Sequence, residues 1–350
     1  MIVGELGMFR CEAVQKGRKQ DKIPPAMNGI SIDFEAGVSL ALDRIKPDIV
    51  RTALEFSPFL SEVTGADVYL KWENDQRTGS FKFRGALNKV RILSFEERKK
   101  GIVSASTGNH GLGISLASKL EEVKLTLVLP AKISPEKRRR LEESGAEIIE
   151  YGKTCDQAEI WARRMAFNSG RVFISPYNDE QIICGQGTIG LEILEDCPSA
   201  DAVLVPVGGG GLSAGIAGYL RSKSKKIRVF GVEPENSAFM AASLKAGRII
   251  KIDEETTIAD AVAGGIEPGS ITFPLCQKLL ESIISVEEAL LKRAMRLIYD
   301  HHQKMVEGAG ALPLAGLMAR SRLFQNKKIV LVVSGGNISP GAFADAAARE

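Results

Sequence analysis

Short, almost wholly apolar runs alternate along this chain with longer stretches of helical pattern. The runs "VKLTLVLP" (123–130), "DAVLVPV" (201–207) and "KKIVLVVS" (327–334) lack the regular polar alternation of a half-exposed strand. Strands of this composition are buried on both faces, as in parallel sheets that are covered by helices on either side. The sequence therefore predicts an α/β fold.

Helix boundaries can be placed from capping residues. Ser134, followed by a proline, predicts the start of a helix that Gly145 closes. Thr154 is expected to cap a helix that runs through Arg164. The segment "SVEE" (285–288) has the pattern of a capping box and predicts the start of a long amphipathic helix.

Charge and hydropathy exclude several classes of protein. The 350 residues carry a net charge of only +3, which gives no electrostatic case for a nucleic-acid partner or an anionic membrane. The basic run 137–140 is flanked by glutamates, so we interpret it as the solvated face of a helix. No apolar stretch reaches the roughly 18 residues that a membrane span needs, and no secretory signal is evident.

The five cysteines are widely scattered and form no C-x-x-C pair. This spacing argues against a zinc site and against a disulfide framework, and it favours a reducing compartment. We therefore expect a cytoplasmic protein whose partner is a small molecule.

The segment "VPVGGGGLSAG" (205–215) reads as a strand, four glycines and a helix. Consecutive glycines allow backbone N–H groups to converge on an anion, and the following helix N-terminus adds positive potential. A phosphate site is therefore expected here. One reading assigns it to a nicotinamide dinucleotide in a Rossmann oxidoreductase, since Gly209, Gly211 and Ala214 fit G-x-G-x-x-G/A and Glu233 ends the next strand.

The other reading assigns the phosphate to pyridoxal 5'-phosphate. That cofactor needs a lysine, a phosphate cradle, a partner for its ring nitrogen and a group against its ring. Lys82 lies between two phenylalanines in "GSFKFRGA" (79–86), and Ser334 ends the last strand. Phe81 or Asn109 can hold the ring. The dinucleotide reading leaves "GSFKFRGA" and "STGNHG" (106–111) unexplained.

Five segments together resemble the serine/threonine dehydratase and serine racemase family, which are fold type II (tryptophan synthase β-like) pyridoxal-phosphate-dependent enzymes. They occur in the family's order and spacing, and the similarity extends over roughly residues 40–340. The segments are "GSFKFRGA" (79–86), "STGNHG" (106–111), "GQGTIGLEI" (185–193), "VPVGGGG" (205–211) and "VVSGGN" (332–337).

The resemblance implies two lobes with a site in the cleft between them. Residues 35–99 and 179–350 would form the larger, cofactor-binding lobe, into which a smaller lobe of residues 100–178 is inserted. Residues 1–34 hold scattered charge and two adjacent prolines, and we expect them to form a loose N-terminal arm. A homodimer is the family's usual assembly.

The resemblance also assigns roles to individual residues. Lys82 would form the Schiff base and later remove the substrate's α-proton, while Phe81 would pack on the ring and Ser334 would face its nitrogen. Asn109 would bond the ring hydroxyl, and Glu307 would lie near the cofactor. The phosphate would be bound by the backbone of Gly208, Gly209, Gly210, Gly211 and Leu212. The substrate carboxylate would be bound by Ser106, Thr107, Gly108, Asn109 and His110.

Glu233 matches a residue that binds a structural divalent cation in part of this family. Phe239 stands where a second acidic ligand would be expected. A single carboxylate seldom holds Mg²⁺ or Ca²⁺ well, so the sequence argues against a bound metal.

These roles predict a lyase that converts a β-hydroxy amino acid, by default L-threonine or L-serine, into a 2-oxo acid and ammonia. Hydroxyaspartate or a hydroxyectoine-derived amino acid is an alternative substrate. Thr107 stands where racemases carry a catalytic serine, so serine or aspartate racemisation on the same scaffold is a second alternative. An inactive binding relative is disfavoured because every catalytic position is filled.

Overall fold

The computed structural model describes residues 31–131, 133 and 135–348. Most of the arm predicted over residues 1–34, and the predicted helix cap Ser134, lie outside the described residues. Among the described residues, no helix has both the length and the apolar character that a membrane crossing requires.

The described residues form two β-sheets. One has six strands in the order β1-β2-β10-β7-β8-β9, and the other has four in the order β5-β4-β3-β6. The strands are β1 Leu54–Phe56, β2 Asp67–Trp72, β3 Ile102–Ala105, β4 Leu125–Leu129, β5 Glu147–Glu150, β6 Val172–Phe173, β7 Ala202–Pro206, β8 Arg228–Pro234, β9 Ser282–Val286 and β10 Lys328–Val333.

All neighbouring strands are parallel except β1, which pairs antiparallel with β2. The apolar strands β4 and β7 are buried along their whole length, as the sequence predicted. The α/β fold class is therefore confirmed. The four-stranded sheet falls between β2 and β7 in the chain, and we take it as the centre of the smaller lobe proposed over residues 100–178.

Helices cover both sheets. They are α1 Phe34–Ile45, α2 Pro58–Thr64, α3 Lys82–Arg91, α4 Phe95–Lys100, α5 Asn109–Leu120, α6 Pro135–Glu142, α7 Cys155–Ser169, α8 Glu180–Asp196, α9 Gly211–Lys223, α10 Phe239–Ala246, α11 Thr272–Leu279, α12 Glu288–His302, α13 Gly308–Ala319, α14 Ser321–Phe324 and α15 Pro340–Ala346. Short 3₁₀ turns follow β2 and β8.

The helix caps agree only partly with the sequence predictions. The Thr154 hydroxyl accepts a hydrogen bond from Gln157 N at the start of α7, as expected, but that helix continues past Arg164 to Ser169. The predicted capping box at 285–288 is wrong, because Ser285 pairs in β9 and the α12 cap position, Glu287, makes no side-chain capping bond. At Ser285, pairing within the sheet outweighs the local capping pattern.

Helix α3 is the element that positions Lys82. It packs against α5 on one side and α8 on the other. Phe83, Leu87 and Val90 of α3 share an apolar cluster with Ile102 and Leu127 of the smaller sheet. The helix that begins with Lys82 is thus held by both parts of the fold.

Candidate active site

Lys82 begins α3 at the carboxyl end of β10. Ser80 forms an isolated antiparallel bridge with Gly335, and Phe81 N donates to Ser334 O over 3.1 Å. Two of the predicted motifs, more than 250 residues apart in the chain, therefore lie side by side. In open parallel sheets, ligands bind beyond the carboxyl ends of the strands, which is where this contact lies.

The Lys82 ammonium lies between a carbonyl and an aromatic ring. Nζ donates to Pro176 O over 2.9 Å and lies 5.0 Å from the centre of the Phe81 ring. The residue as a whole is half-buried, but desolvation of the amine lowers the pKa of Lys82 to about 8, against the opposing attraction of the Glu307 carboxylate. A substantial neutral fraction at mild pH makes this amine a better nucleophile than an ordinary lysine.

This pKa predicts the pH dependence of cofactor loading. Only the neutral amine can attack an aldehyde, so the rate at which apoprotein binds pyridoxal phosphate should rise about tenfold per pH unit below pH 8 and level off above it. An amine with the ordinary pKa of 10.5 would keep accelerating to higher pH. Stopped-flow absorbance from about pH 6 to about pH 10 measures this binding rate. A rate that still rises at the upper end of the range would contradict the prediction.

Asn109 and Glu307 form a buried pair close to Lys82. Asn109 Nδ2 donates to Glu307 Oε1 over 2.6 Å, and Asn109 Oδ1 accepts from Asn337 Nδ2, also over 2.6 Å. Glu307 comes directly before α13, and Gly335 approaches it so closely that an added Cβ would lie 2.3 Å from Glu307 Oε1. The pairing requires a glycine in "SGGN".

The loop that contains "STGNHG" ends at the N-terminus of α5. Gly108 occupies the cap position without a side-chain capping bond, and Ser106, Thr107 and Gly108 are half-buried. The first N–H groups of a helix have no partner within the helix, and the helix dipole favours an anion there. This loop is therefore suited to bind a carboxylate.

His110 is neutral in this setting. The Ser104 hydroxyl donates to Ile174 O over 2.8 Å, so its 3.1 Å contact with His110 Nε2 requires a proton on Nε2. Desolvation, followed by the charge on Lys82, lowers the pKa of His110 to about 3. Nδ1 is buried and has no hydrogen-bond partner among the described residues, so it offers a lone pair for hydrogen bonding rather than a proton.

The four glycines lead into α9, which begins at Gly211. Gly210 has φ +85°, and an added Cβ would lie 2.9 Å from both Cys276 Sγ and Met240 Cε. An added Cβ at Gly209 would lie 2.4 Å from the ring of Tyr177. The loop thus presents bare backbone next to a helix N-terminus, a geometry that fits a phosphate group.

Replacing Gly210 with alanine should weaken pyridoxal phosphate binding at least about tenfold, because the methyl group strains φ and displaces the loop backbone. Gly247→Ala is a matched control, since Gly247 also has a positive φ, of +68°, but its Cβ would meet open space. Spectrophotometric titration of both apoproteins measures the difference. Equal affinities of the two variants would show that the glycine loop can accommodate a methyl group at Gly210.

Glu233 has a structural role in this geometry. Its two carboxylate oxygens accept hydrogen bonds from Met240 N and Ala241 N, at 3.0 and 2.8 Å, in the first turn of α10. Burial raises the pKa of Glu233 to about 7. A carboxylate turned onto a helix in this way fits neither a divalent cation nor the ribose of a dinucleotide.

Pro176 and Tyr177 are site residues that the sequence did not reveal. Pro176 accepts the Lys82 hydrogen bond, and Tyr177 packs over Gly209 and Gly211. Together they link the lysine to the glycine loop. In the sequence they stand only at the end of the run "RVFISPY" (171–177), whose pattern is that of a strand.

A buried ionic cluster anchors α3 through Arg84. Arg84 bonds Glu73 through Nε and Glu192 through Nη1, at 2.8 and 2.7 Å, and Lys71 Nζ reaches Glu192 over 2.6 Å. The side chains of this charge cluster (Lys71, Glu73, Arg84 and Glu192) are at most 1% exposed. Two positive and two negative side chains are thus buried together, and one of them, Arg84, lies two residues after Lys82 in α3.

Comparisons with known proteins agree with this geometry. A family model described as "Pyridoxal-phosphate dependent enzyme" matches residues 45–335. An L-threonine ammonia-lyase of Thermotoga maritima is 42% identical over 294 residues, which cover 84% of this chain and 73% of the relative.

Two solved structures have similar folds. The processed form of threonine deaminase isoform 2 from Solanum lycopersicum aligns with a TM-score of 0.85 and 33% identity over 91% of this chain and 93% of that one. Serine racemase from Dictyostelium discoideum aligns with a TM-score of 0.81 and 34% identity over 87% of this chain and 98% of that one.

Proposed function

Because the chain belongs to the family of pyridoxal-phosphate-dependent enzymes, we propose that it is an ammonia-lyase for β-hydroxy amino acids, with L-threonine or L-serine as its substrate. The observation that carries the proposal is the desolvated Lys82 amine, which lies beside Phe81 and within the field of Glu307. The pyridoxal phosphate cofactor, when bound, accepts the electrons of the Cα–H bond as it breaks and so allows the β-hydroxyl to leave.

Each predicted residue has a task in this proposal. The Lys82 amine holds the cofactor and, once the substrate has displaced it, removes the α-proton. The backbone from Gly208 to Leu212 holds the phosphate. Asn109 bonds the ring hydroxyl while Phe81 packs on the ring. Ser334 faces the ring nitrogen, and its uncharged hydroxyl leaves that nitrogen largely unprotonated, which favours elimination over transamination.

The α-carboxylate of the substrate is bound at the start of α5. The hydroxyls of Ser106 and Thr107 and the backbone amides of Gly108, Asn109 and His110 surround this position. The His110 ring, which offers only an acceptor at Nδ1, does not bond the carboxylate. A carboxylate here interacts favourably with the helix dipole. This arrangement orients the Cα–H bond toward Lys82 and serves any L-amino acid, so selectivity depends on the β-substituent.

An assay of oxo-acid and ammonia release across L- and D-serine, L- and D-threonine and the diastereomers of 3-hydroxyaspartate tests the proposal. We expect ammonia and the oxo acid in equal amounts, with L-threonine or L-serine turned over fastest. Faster turnover of a hydroxyaspartate would replace the default substrate. Release of neither product from any of them would refute the lyase function.

Racemisation is the second candidate function, because Thr107 keeps a hydroxyl on the opposite side of the substrate from Lys82 in the proposed pose. Chiral chromatography of the unreacted amino acid detects it. Thr107→Ala should leave elimination within a few-fold and remove any racemisation. Serine that racemises faster than it eliminates would make racemisation the main activity.

The same proposal includes a cytoplasmic homodimer. The scattered spacing of the five cysteines favours a reducing compartment, and the resemblance supports the dimer. Light scattering during gel filtration of the holoenzyme measures the assembly, and a mass of one chain would contradict it.

A further inference from the structure

Two carbonyl groups of the glycine loop accept hydrogen bonds from hydroxyl side chains. The Thr272 hydroxyl, at the start of α11, donates to Gly209 O over 2.6 Å. The Ser213 hydroxyl donates to Gly210 O over 3.1 Å, and the same carbonyl accepts from a backbone N–H of α9 over 2.9 Å. The oxygen atoms of two successive peptide groups in the loop are therefore engaged by protein groups.

The N–H groups of these two peptides face the other way. A trans peptide is planar and directs its C=O and N–H groups in opposite directions, so the N–H of Gly210 points away from Thr272 and the N–H of Gly211 points away from Ser213. Across the described part of the chain, neither N–H group has a hydrogen-bond partner. Free N–H groups at the start of a helix are donors for an anion.

The Thr272 hydroxyl is held with its proton toward the loop. The residue is fully buried, and Ser270 Oγ lies 2.7 Å from Thr272 Oγ1. A threonine hydroxyl has a single proton, which Thr272 gives to Gly209 O, so Ser270 supplies the proton in this second contact. Ser270 Oγ in turn accepts from Thr272 N over 3.3 Å. The Thr272 side chain is thus fixed as a donor to the glycine loop.

The position of α11 brings Thr272 to the loop. A Cβ added at Gly210 would lie 3.1 Å from Thr272 Cβ and 2.9 Å from Sγ of Cys276, one turn later in the same helix. Asn178 Oδ1 accepts from the backbone N–H directly before Thr272 over 2.9 Å. The start of α11 is therefore anchored to the segment whose carbonyl also bonds the Lys82 amine.

Of the two hydroxyls, that of Thr272 has the larger influence on the loop. Its bond is the only one that Gly209 O receives from the described residues, whereas Gly210 O would keep its bond from α9 without Ser213. The peptide between Gly209 and Gly210 is also flanked by glycine on both sides, so no Cβ hinders its rotation. Without the Thr272 bond, this peptide is free to turn its carbonyl toward the anion site.

We infer that Thr272 is a positioning residue, which bonds Gly209 O and so keeps the N–H of Gly210 directed at the cofactor phosphate. This inference rests on the proposed function, in which the glycine loop binds that phosphate. A carbonyl oxygen in place of the N–H would repel the anion. Thr272 acts through the loop backbone and contacts neither the phosphate nor a reacting atom.

The test compares cofactor binding by the apoproteins. Thr272→Val keeps the shape of the side chain but removes the donor, and it should weaken pyridoxal phosphate binding about tenfold, as expected for one buried hydrogen bond. Thr272→Ser retains the hydroxyl and should bind with nearly wild-type affinity. Pyridoxal, which lacks the phosphate, should bind to wild type and to Thr272→Val with equal affinity. Spectrophotometric titration with each compound measures these affinities.

A second variant gives a graded check that does not depend on the folding of the first. Ser213→Ala removes the hydroxyl from Gly210 O, which keeps its bond from α9. It should weaken pyridoxal phosphate binding less than Thr272→Val does and should leave pyridoxal binding unchanged. A larger loss for Ser213→Ala than for Thr272→Val would contradict the role given to Thr272.

Thr64→Val is a matched control for the loss of a buried hydroxyl. Thr64 is buried in α2 and donates to Leu60 O over 2.7 Å, so its replacement should lower stability without changing cofactor affinity. Unchanged pyridoxal phosphate affinity in Thr272→Val, or an equal loss of affinity for pyridoxal, would overturn the inference and leave the lyase function intact. A wild-type protein that takes up no pyridoxal phosphate would instead refute the proposed function.

Discussion

The Lys82→Ala variant should lose at least about 10³-fold in kcat, because one substitution removes both the amine that holds the cofactor and the base for the α-proton. Its purified form should also lack the visible absorption of lysine-bound cofactor, since Lys82 is the amine that the proposed pose places at the cofactor aldehyde. Ammonia release and absorption spectra, measured on protein reconstituted with excess pyridoxal phosphate, check both expectations.

Two further variants separate this role from a structural one. Lys119→Ala removes an exposed lysine from α5 and should retain full activity and colour. Lys82→Arg keeps a positive charge in place but supplies no nucleophilic amine at working pH, so it should be as inactive as the alanine variant. Added methylamine should partly restore turnover by Lys82→Ala. Activity near wild type in Lys82→Arg would rule out the proposed chemistry.

The sequence predicted those parts of the structure that depend on local residue patterns. Fully apolar runs such as "DAVLVPV" predict buried parallel strands because both faces of the strand need apolar side chains. The segments around Lys82 and Gly210 could be identified as site segments because a lysine between two phenylalanines and a run of four glycines have few structural explanations. The sheet then brings Ser334 beside Phe81.

The parts that it did not predict depend on distant partners. Arg140 is indistinguishable from Arg139 in the sequence, and only the packing of α6 on α5 directs it toward Asn337, 197 residues away. Likewise, Arg84 and Glu192 are 108 residues apart, and no pattern in either helix marks them as a pair. Such contacts follow from the assembled fold, and local propensities do not encode them.

The charge cluster beneath Lys82 yields the largest expected effect on stability. Burial opposes the charge on Arg84, but the carboxylates of Glu73 and Glu192 outweigh it and raise the pKa of Arg84 above its ordinary value. Arg84→Met would leave Glu73 buried without its cation and Glu192 with Lys71 alone. We expect the free energy of unfolding to fall by about 3–5 kcal/mol, because an uncompensated buried charge is costly.

Urea denaturation of the variants, compared with a matched exposed arginine, tests this expectation. Arg51 also bridges two carboxylates, those of Glu195 and Asp196, but its side chain is 50% exposed, so Arg51→Met should cost at most about 1 kcal/mol. The double variant Arg84→Met/Glu73→Gln restores charge balance, because Lys71 still neutralises Glu192, and it should recover about half of the loss. A double variant no more stable than Arg84→Met would mean that Arg84 stabilises α3 through packing rather than charge.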